Sequence, residues 1–87
     1  MTVETILSER GAIYGDYSAV AATSQALKAV LRGGAAWHLL TDREKESLEM
    51  MANKQARAVN GMPHEDNYLD IAGYSTLAAE AVRKDEE

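Results

Sequence analysis

Cysteine and phenylalanine are absent from this chain, and proline and tryptophan occur once each. Without cysteine there can be no disulfide framework and no thiolate metal site, and the composition suits a reducing cytoplasm. No apolar run approaches the roughly 18 to 20 residues of a membrane span, and acidic side chains stand near the N-terminus where a signal peptide carries basic ones. We therefore expect a soluble protein with no membrane partner. Basic residues are also scarce, 9 against 14 acids for a net charge of −5. That balance argues against direct nucleic-acid binding, which rests on Lys and Arg displacing counterions from phosphates, but it leaves a basic protein surface open as a partner.

What is present favours helices. Aromatics make up 6% of the 87 residues, and alanine is abundant, a composition suited to closely packed helices rather than a β-sandwich. A chain this short buries only around 60% of the surface its unfolded form exposes. Self-association into a homo-oligomer, with a homodimer the simplest case, is therefore expected to complete the core.

Val3, Ile6 and Leu7 recur at helical spacing between Thr2 as cap and Gly11 as stop, which predicts a helix over 2–10. The stretch Gly11 to Tyr17 reads as an ordered turn. A second helix is predicted over 18–32, with Val20, Leu27, Val30 and Leu31 on one face and Gly33-Gly34 as its end. Trp37 follows and reads as a core plug. Thr41-Asp-Arg-Glu44 is a capping box that opens a long helix over 42–60. Its stripe is Leu48, Met51, Ala52, Gln55, Ala56 and Val59, and Asn60-Gly61 with Pro63 stops it. Met51 reads as core, whereas Met50 lies off the stripe. His64-Glu-Asp66 leads into a fourth helix over 66–83 through Ile71, Tyr74, Leu77, Ala78 and Ala81, and 84–87 reads as a frayed acidic tail. The expected fold is all-α, a compact bundle of about four helices in one domain spanning 1–87. Gly73, inside the fourth helix, marks either a close helix crossing or a tolerated glycine.

Asp70 shares the stripe of Tyr74, Leu77 and Ala81, so its carboxylate is expected to face the core and to need a partner. One solution is a structural ion pair with Lys54 or Arg57 on the antiparallel third helix, or a hydrogen bond from Tyr14. The other is a divalent cation, with Glu46 and Glu49 one turn apart and Asp66 and Asp70 closing an oxygen site. Glu49, Asn53 and Asn60 flank the third helix's stripe and could line a groove. Tyr14-Gly15-Asp16 reads either as a ligand-binding turn or as a structural one, in which Gly15 supplies a positive φ and Asp16 or Ser18 caps the second helix. His38 and His64 stand outside metal-ligand spacing and read as surface or turn residues.

The order Glu9-Arg10-Gly-x-x-Tyr14-Gly15-Asp16, then Leu48-Glu49-Met50-Met51-Ala-x-Lys54-x-x-Arg57-x-x-Asn60-Gly61, then Asp66-x-x-x-Asp70-Ile-Ala-Gly73-Tyr74 resembles a family of short phage and prophage proteins. That family is distantly similar to the MazG-like, all-α nucleoside triphosphate pyrophosphohydrolases, whose pattern is Glu-x-x-Glu, a gap, then Glu-x-x-Asp. Carried over, the resemblance places Glu46 and Glu49 on the first pair and Asp70 on the final Asp. Asn67, a neutral amide, falls on the remaining Glu position, with Asp66 one residue before it. The resemblance implies magnesium as cofactor, Lys54 or Arg57 on phosphate, and a bacterial host cytoplasm.

Three functional readings follow. The first is a small acidic accessory protein acting by stoichiometric binding to a host protein complex with a basic surface, as counter-defence (anti-CRISPR-like) inhibitors do; no cofactor is expected for it. The second is a magnesium-dependent MazG-like nucleotide pyrophosphohydrolase or nucleotide-binding relative, using Glu46, Glu49, Asp66, Asp70, Lys54 and Arg57. The third is a structural oligomerisation module. The missing carboxylate at Asn67 leans the expectation away from catalysis.

Overall fold

The computed structural model describes residues 2–86, apart from the side chains of Tyr14, Asp85 and Glu86. Four α-helices follow in order, α1 (Val3–Tyr14), α2 (Tyr17–Arg32), α3 (Asp42–Asn60) and α4 (Glu65–Glu86), with one 3₁₀ turn at Trp37–Leu39 between α2 and α3. No strand occurs among the described residues. The all-α, single-domain bundle read from composition and periodicity is the fold observed.

Local capping chemistry sets the helix starts. The Thr5 N–H donates to Thr2 Oγ1 at 3.1 Å, opening α1, and the Ala19 N–H donates to Asp16 Oδ2 at 3.1 Å, opening α2. At α3 the capping box is complete: the Glu44 N–H donates to Thr41 Oγ1 at 3.2 Å, and the Thr41 N–H donates to Glu44 Oε2 at 2.7 Å. These bonds satisfy backbone donors that no earlier turn of helix can reach.

The first helix does not end at Gly11. It runs on to Tyr14, because an interior glycine weakens a helix by only about 1 kcal/mol and leaves its hydrogen bonds intact. The stop is Gly15, at φ 88° and ψ 177°, a backbone region essentially closed to residues with a Cβ. At the other end of the chain, the backbone of α4 continues helically through Lys84 to Glu86, where a frayed tail was expected. The last residue of that tail, Glu87, lies outside the described residues.

Helix α3 is the centre of the molecule. It packs against α2 and, most extensively, against α4, while α1 touches α2 and α3 more lightly. The contact line is built from small side chains: Ala52 and Ala56 are 1% and 0% exposed, with Val20 of α2 and Ala81 of α4 also buried. Small residues allow close approach of the backbones but bury little apolar area each. The Asn60 side-chain amide donates to Thr23 Oγ1 at 3.0 Å and to the Ala56 carbonyl at 2.8 Å, tying α3 to α2.

Several stripe positions lie elsewhere than periodicity placed them. Val30 and Val59 are strongly exposed, as is Gln55, whereas Ser24, Ser47 and Asn67 are buried. The reason is geometric: narrow helices packed on alanine bury only one line of residues each, and the rest of the apolar arc stays in solvent. Trp37 is half-buried, so it covers the core edge without filling it, and Met50, off the stripe, is half-buried as well. On α1, Val3, Ile6 and Leu7 are all exposed. The molecule measures 48 × 23 × 22 Å, with a radius of gyration of 15.0 Å against about 12 Å for a spherical chain of this length.

Candidate functional site

The α3–α4 pair carries the residues singled out for chemistry. Lys54 Nζ lies 2.9 Å from Asp70 Oδ2, so the cation beside Asp70 is Lys54. The burial is the reverse of the expected arrangement: the Lys54 side chain is 13% exposed and that of Asp70 48%. Asp70 therefore does not face the core. It sits at the rim and reaches over the buried lysine, whose apolar stem packs inside while its ammonium meets the carboxylate. Arg57, the other cation considered, is half-buried and lines a cavity towards α1 and α2. The Tyr14 side chain is outside the described part of the structure.

The other carboxylates are distributed. Glu49 accepts from Arg32 in an ion pair that links α2 to α3. Asp66 Oδ2 lies 3.5 Å from His64 Nε2, and Glu46 is exposed. Among the described residues, no three His, Asp or Glu side chains come together in a group that could hold one ion.

Asn67, the residue at the third position of the resembled acidic pattern, is 2% exposed, and its Nδ2 has no hydrogen-bond partner among the described residues. Glu49, Asp70 and Asp66 lie against Arg32, Lys54 and His64 respectively. Among the described residues, Glu46, Glu49, Asp66 and Asp70 thus do not gather into one centre of the resembled kind.

Sequence reasoning missed two features. Ser24 is buried with an unpartnered Oγ; it lies four residues after Val20, and that spacing was the available signal. Arg32 as the partner of Glu49 had no local signal, because the two are brought together only by the packing of α2 on α3.

The Tyr14-Gly15-Asp16 turn is structural in its backbone. Gly15 has the positive φ expected of it, Asp16 caps α2, and the Met62 N–H donates to the Ile13 carbonyl at 2.9 Å. The turn between α1 and α2 is thus pinned to the turn between α3 and α4.

The outer face of α4 forms a shallow concavity of about 590 Å³ bordered by Leu69, Asp70, Gly73, Tyr74, Thr76 and Leu77. Leu69 and Leu77 are 56% and 46% exposed. A Cβ built on Gly73 would meet nothing within 4 Å, so among the described residues no helix crosses closely at that glycine.

A family model described as a domain of unknown function (DUF6378) matches residues 2–82, and the chain belongs to that family. No curated protein and no solved structure matches it.

Proposed function

We propose that this protein acts by stoichiometric binding, as a self-associated helical unit whose acidic surface docks on a basic surface of a larger protein complex. The observation that carries this reading is the amount of surface the fold leaves uncovered. The accessible area is 6016 Å², where a folded monomer of this mass exposes about 5,000 Å². The excess, roughly 1,000 Å², is comparable to the about 800 Å² that each partner buries in a standard protein interface.

A second copy of the chain is the occupant that suits the outer face of α4. Leu69 and Leu77 supply apolar anchors, and Gly73 offers room for the close approach of another helix. A symmetric pairing uses the same patch twice, which is how most soluble homo-oligomers form. The pairing of Asp70 with Lys54 and of Glu49 with Arg32 supports a role without turnover. The remaining exposed acids, among them Asp42, Glu46 and Glu65, with a net charge of −5, favour a basic partner by charge complementarity. The resemblance to short phage proteins makes a host complex, and counter-defence inhibition of it, the setting of that binding.

Sedimentation velocity at micromolar concentration tests the assembly. The native chain should sediment with the mass of a homo-oligomer, and Leu69→Glu and Leu77→Lys should sediment as helical monomers. A native monomer throughout the concentration range would overturn the self-association. The second arm is affinity capture from bacterial lysate followed by reconstitution with the purified partner. A basic partner bound at fixed stoichiometry, and weakened by Glu46→Lys, supports the reading. Pyrophosphate release from deoxynucleoside triphosphates with magnesium would replace it with the hydrolase reading.

A further inference from the structure

Helix α1 carries a one-sided apolar face that the rest of the described chain leaves open. At about 100° per residue, Ile13, Ile6, Val3 and Leu7 fall within an arc of about 120°. Val3 and Leu7 are 68% and 63% exposed, Ile6 and Ile13 41% and 40%, and Tyr17, just past the turn into α2, is 82% exposed. Resting on the stoichiometric-binding reading above, we infer that this face is where the partner docks, and that the partner presents to it a basic amphipathic helix.

Helix α1 needs a cover more than any other element does. None of its described side chains is buried, and it is 12 residues long with Gly11 inside it. A lone helix of that length is marginal in water, because helix stability in proteins comes mostly from packing an apolar face. The backbone contacts that hold α1 lie at its C-terminal end, where the Met62 N–H donates to the Ile13 carbonyl and Gly15 rests on Asn60. Val3, Ile6 and Leu7, farther out, stand at the i, i+3 and i+4 spacing by which one helix anchors on an apolar partner surface. Leu7 and Tyr17 also line a cavity of about 500 Å³ between α1, α2 and α3, a hollow beside the stripe with room for a partner side chain.

The charges around the stripe select the partner. On the same projection Glu9 lies about 40° beyond Ile13 and Glu4 about 60° beyond Leu7. Both are exposed, so a carboxylate borders the face on each side. Arg10 falls inside the arc, but it lines the cavity together with Asp16 and already has an interaction within the chain. A partner helix whose apolar stripe is flanked by Lys or Arg matches both features at once. A second copy of this chain would instead bring two further glutamates onto the same seam, and an anionic lipid surface would meet the same repulsion. The face is on a different helix from Leu69 and Leu77, so pairing through α4 does not use it.

The test is a two-dimensional amide NMR titration of the full chain with a synthetic lysine–leucine amphipathic helical peptide. Two control peptides keep one feature each: lysine–serine keeps the charge, and glutamate–leucine keeps the apolar stripe. The lysine–leucine peptide should move the amide signals of Val3, Ile6, Leu7, Ile13 and Tyr17 saturably at one peptide per chain, and both controls should bind at least about tenfold more weakly. Leu7→Glu adds a negative charge yet removes an anchor, and should weaken the peptide by about tenfold. Glu4→Gln with Glu9→Gln should weaken it about threefold and flatten its salt dependence. Saturable shifts centred on 69–77, equal binding of the lysine–serine peptide, or unchanged binding to Leu7→Glu would each overturn the assignment. So would loss of the native oligomer in Leu7→Glu by sedimentation velocity, which would make the face a contact between copies. The lysate capture fails separately: a basic partner retrieved while the peptide leaves α1 unmoved would overturn this surface and spare the binding reading.

Discussion

Gly15 rests directly on the carbonyl of Asn60, so closely that a Cβ on Gly15 would lie 2.1 Å from that oxygen and 2.6 Å from its carbon. This contact, with the Met62 to Ile13 hydrogen bond of 2.9 Å, joins the two turns at one end of the bundle. It also anchors α1, whose exposed apolar residues give it little other packing.

Gly15→Ala should therefore destabilise the protein by about 2 kcal/mol or more, since alanine meets both a positive φ and backbone atoms that cannot yield cheaply. Gly11→Ala is the matched control. It sits inside α1 with nothing within 4 Å of the added Cβ, and should stabilise by about 0.5 to 1 kcal/mol through helix propensity. Urea unfolding followed by circular dichroism separates the two, and equal effects would contradict the contact.

Lys54 and Asp70 form an unequal pair, with the ammonium largely buried and the carboxylate at the rim. Asp70→Asn leaves a mostly buried charge without its counterion and should cost about 1 to 2 kcal/mol, less than a fully buried pair because Asp70 is half exposed. Lys54→Met keeps the apolar stem and frees the carboxylate to solvent, so it should cost less than about 1 kcal/mol. Denaturant midpoints of the two variants and of the double variant give the coupling. A Lys54→Met cost above that of Asp70→Asn would reverse the burial order.

Thr41→Ala removes the acceptor for the Glu44 N–H and a hydroxyl contact to Glu44 Oε2 at 3.0 Å. The expected loss is about 1 kcal/mol, the usual effect of deleting an N-cap. Because α3 is the helix on which α2 and α4 both pack, that loss should appear as a lower global melting temperature rather than as local fraying.

Salt should act in opposite directions on the two proposed associations. Each chain carries −5, so raising sodium chloride from about 50 to 300 mM screens subunit repulsion and should strengthen self-association measured by sedimentation equilibrium. The same change should weaken docking on a basic partner. Salt slopes of the same sign for the two associations would contradict this expectation.

The residue pattern was most informative where the physics is local. Thr2 and the Thr41–Glu44 box act through hydrogen bonds within three residues as read, and of the two caps considered for the second helix, Asp16 and Ser18, Asp16 is the one that acts. Asn60-Gly61 ends α3 where it was read to, with Gly61 extended and its N–H donating to the Arg57 carbonyl. The Asp70 pairing was legible only as a choice among Lys54, Arg57, the Tyr14 hydroxyl and a divalent cation, and Lys54 is the partner observed. Which member is buried was not legible, since it depends on the rotation of α4 about its own axis.

By itself the amino-acid sequence determined the helical class and the helix starts, which follow from spacings of one to four residues or from composition. Only the tertiary structure decided that Val30, Val59, Leu69 and Leu77 lie in solvent, that Glu49 belongs to Arg32, and that Arg10, Asn53 and Arg57 share a cavity. Periodicity marks an apolar arc on each helix, but three or four thin helices packed on alanine can cover only part of that arc. Which part is covered is set by how the helices cross.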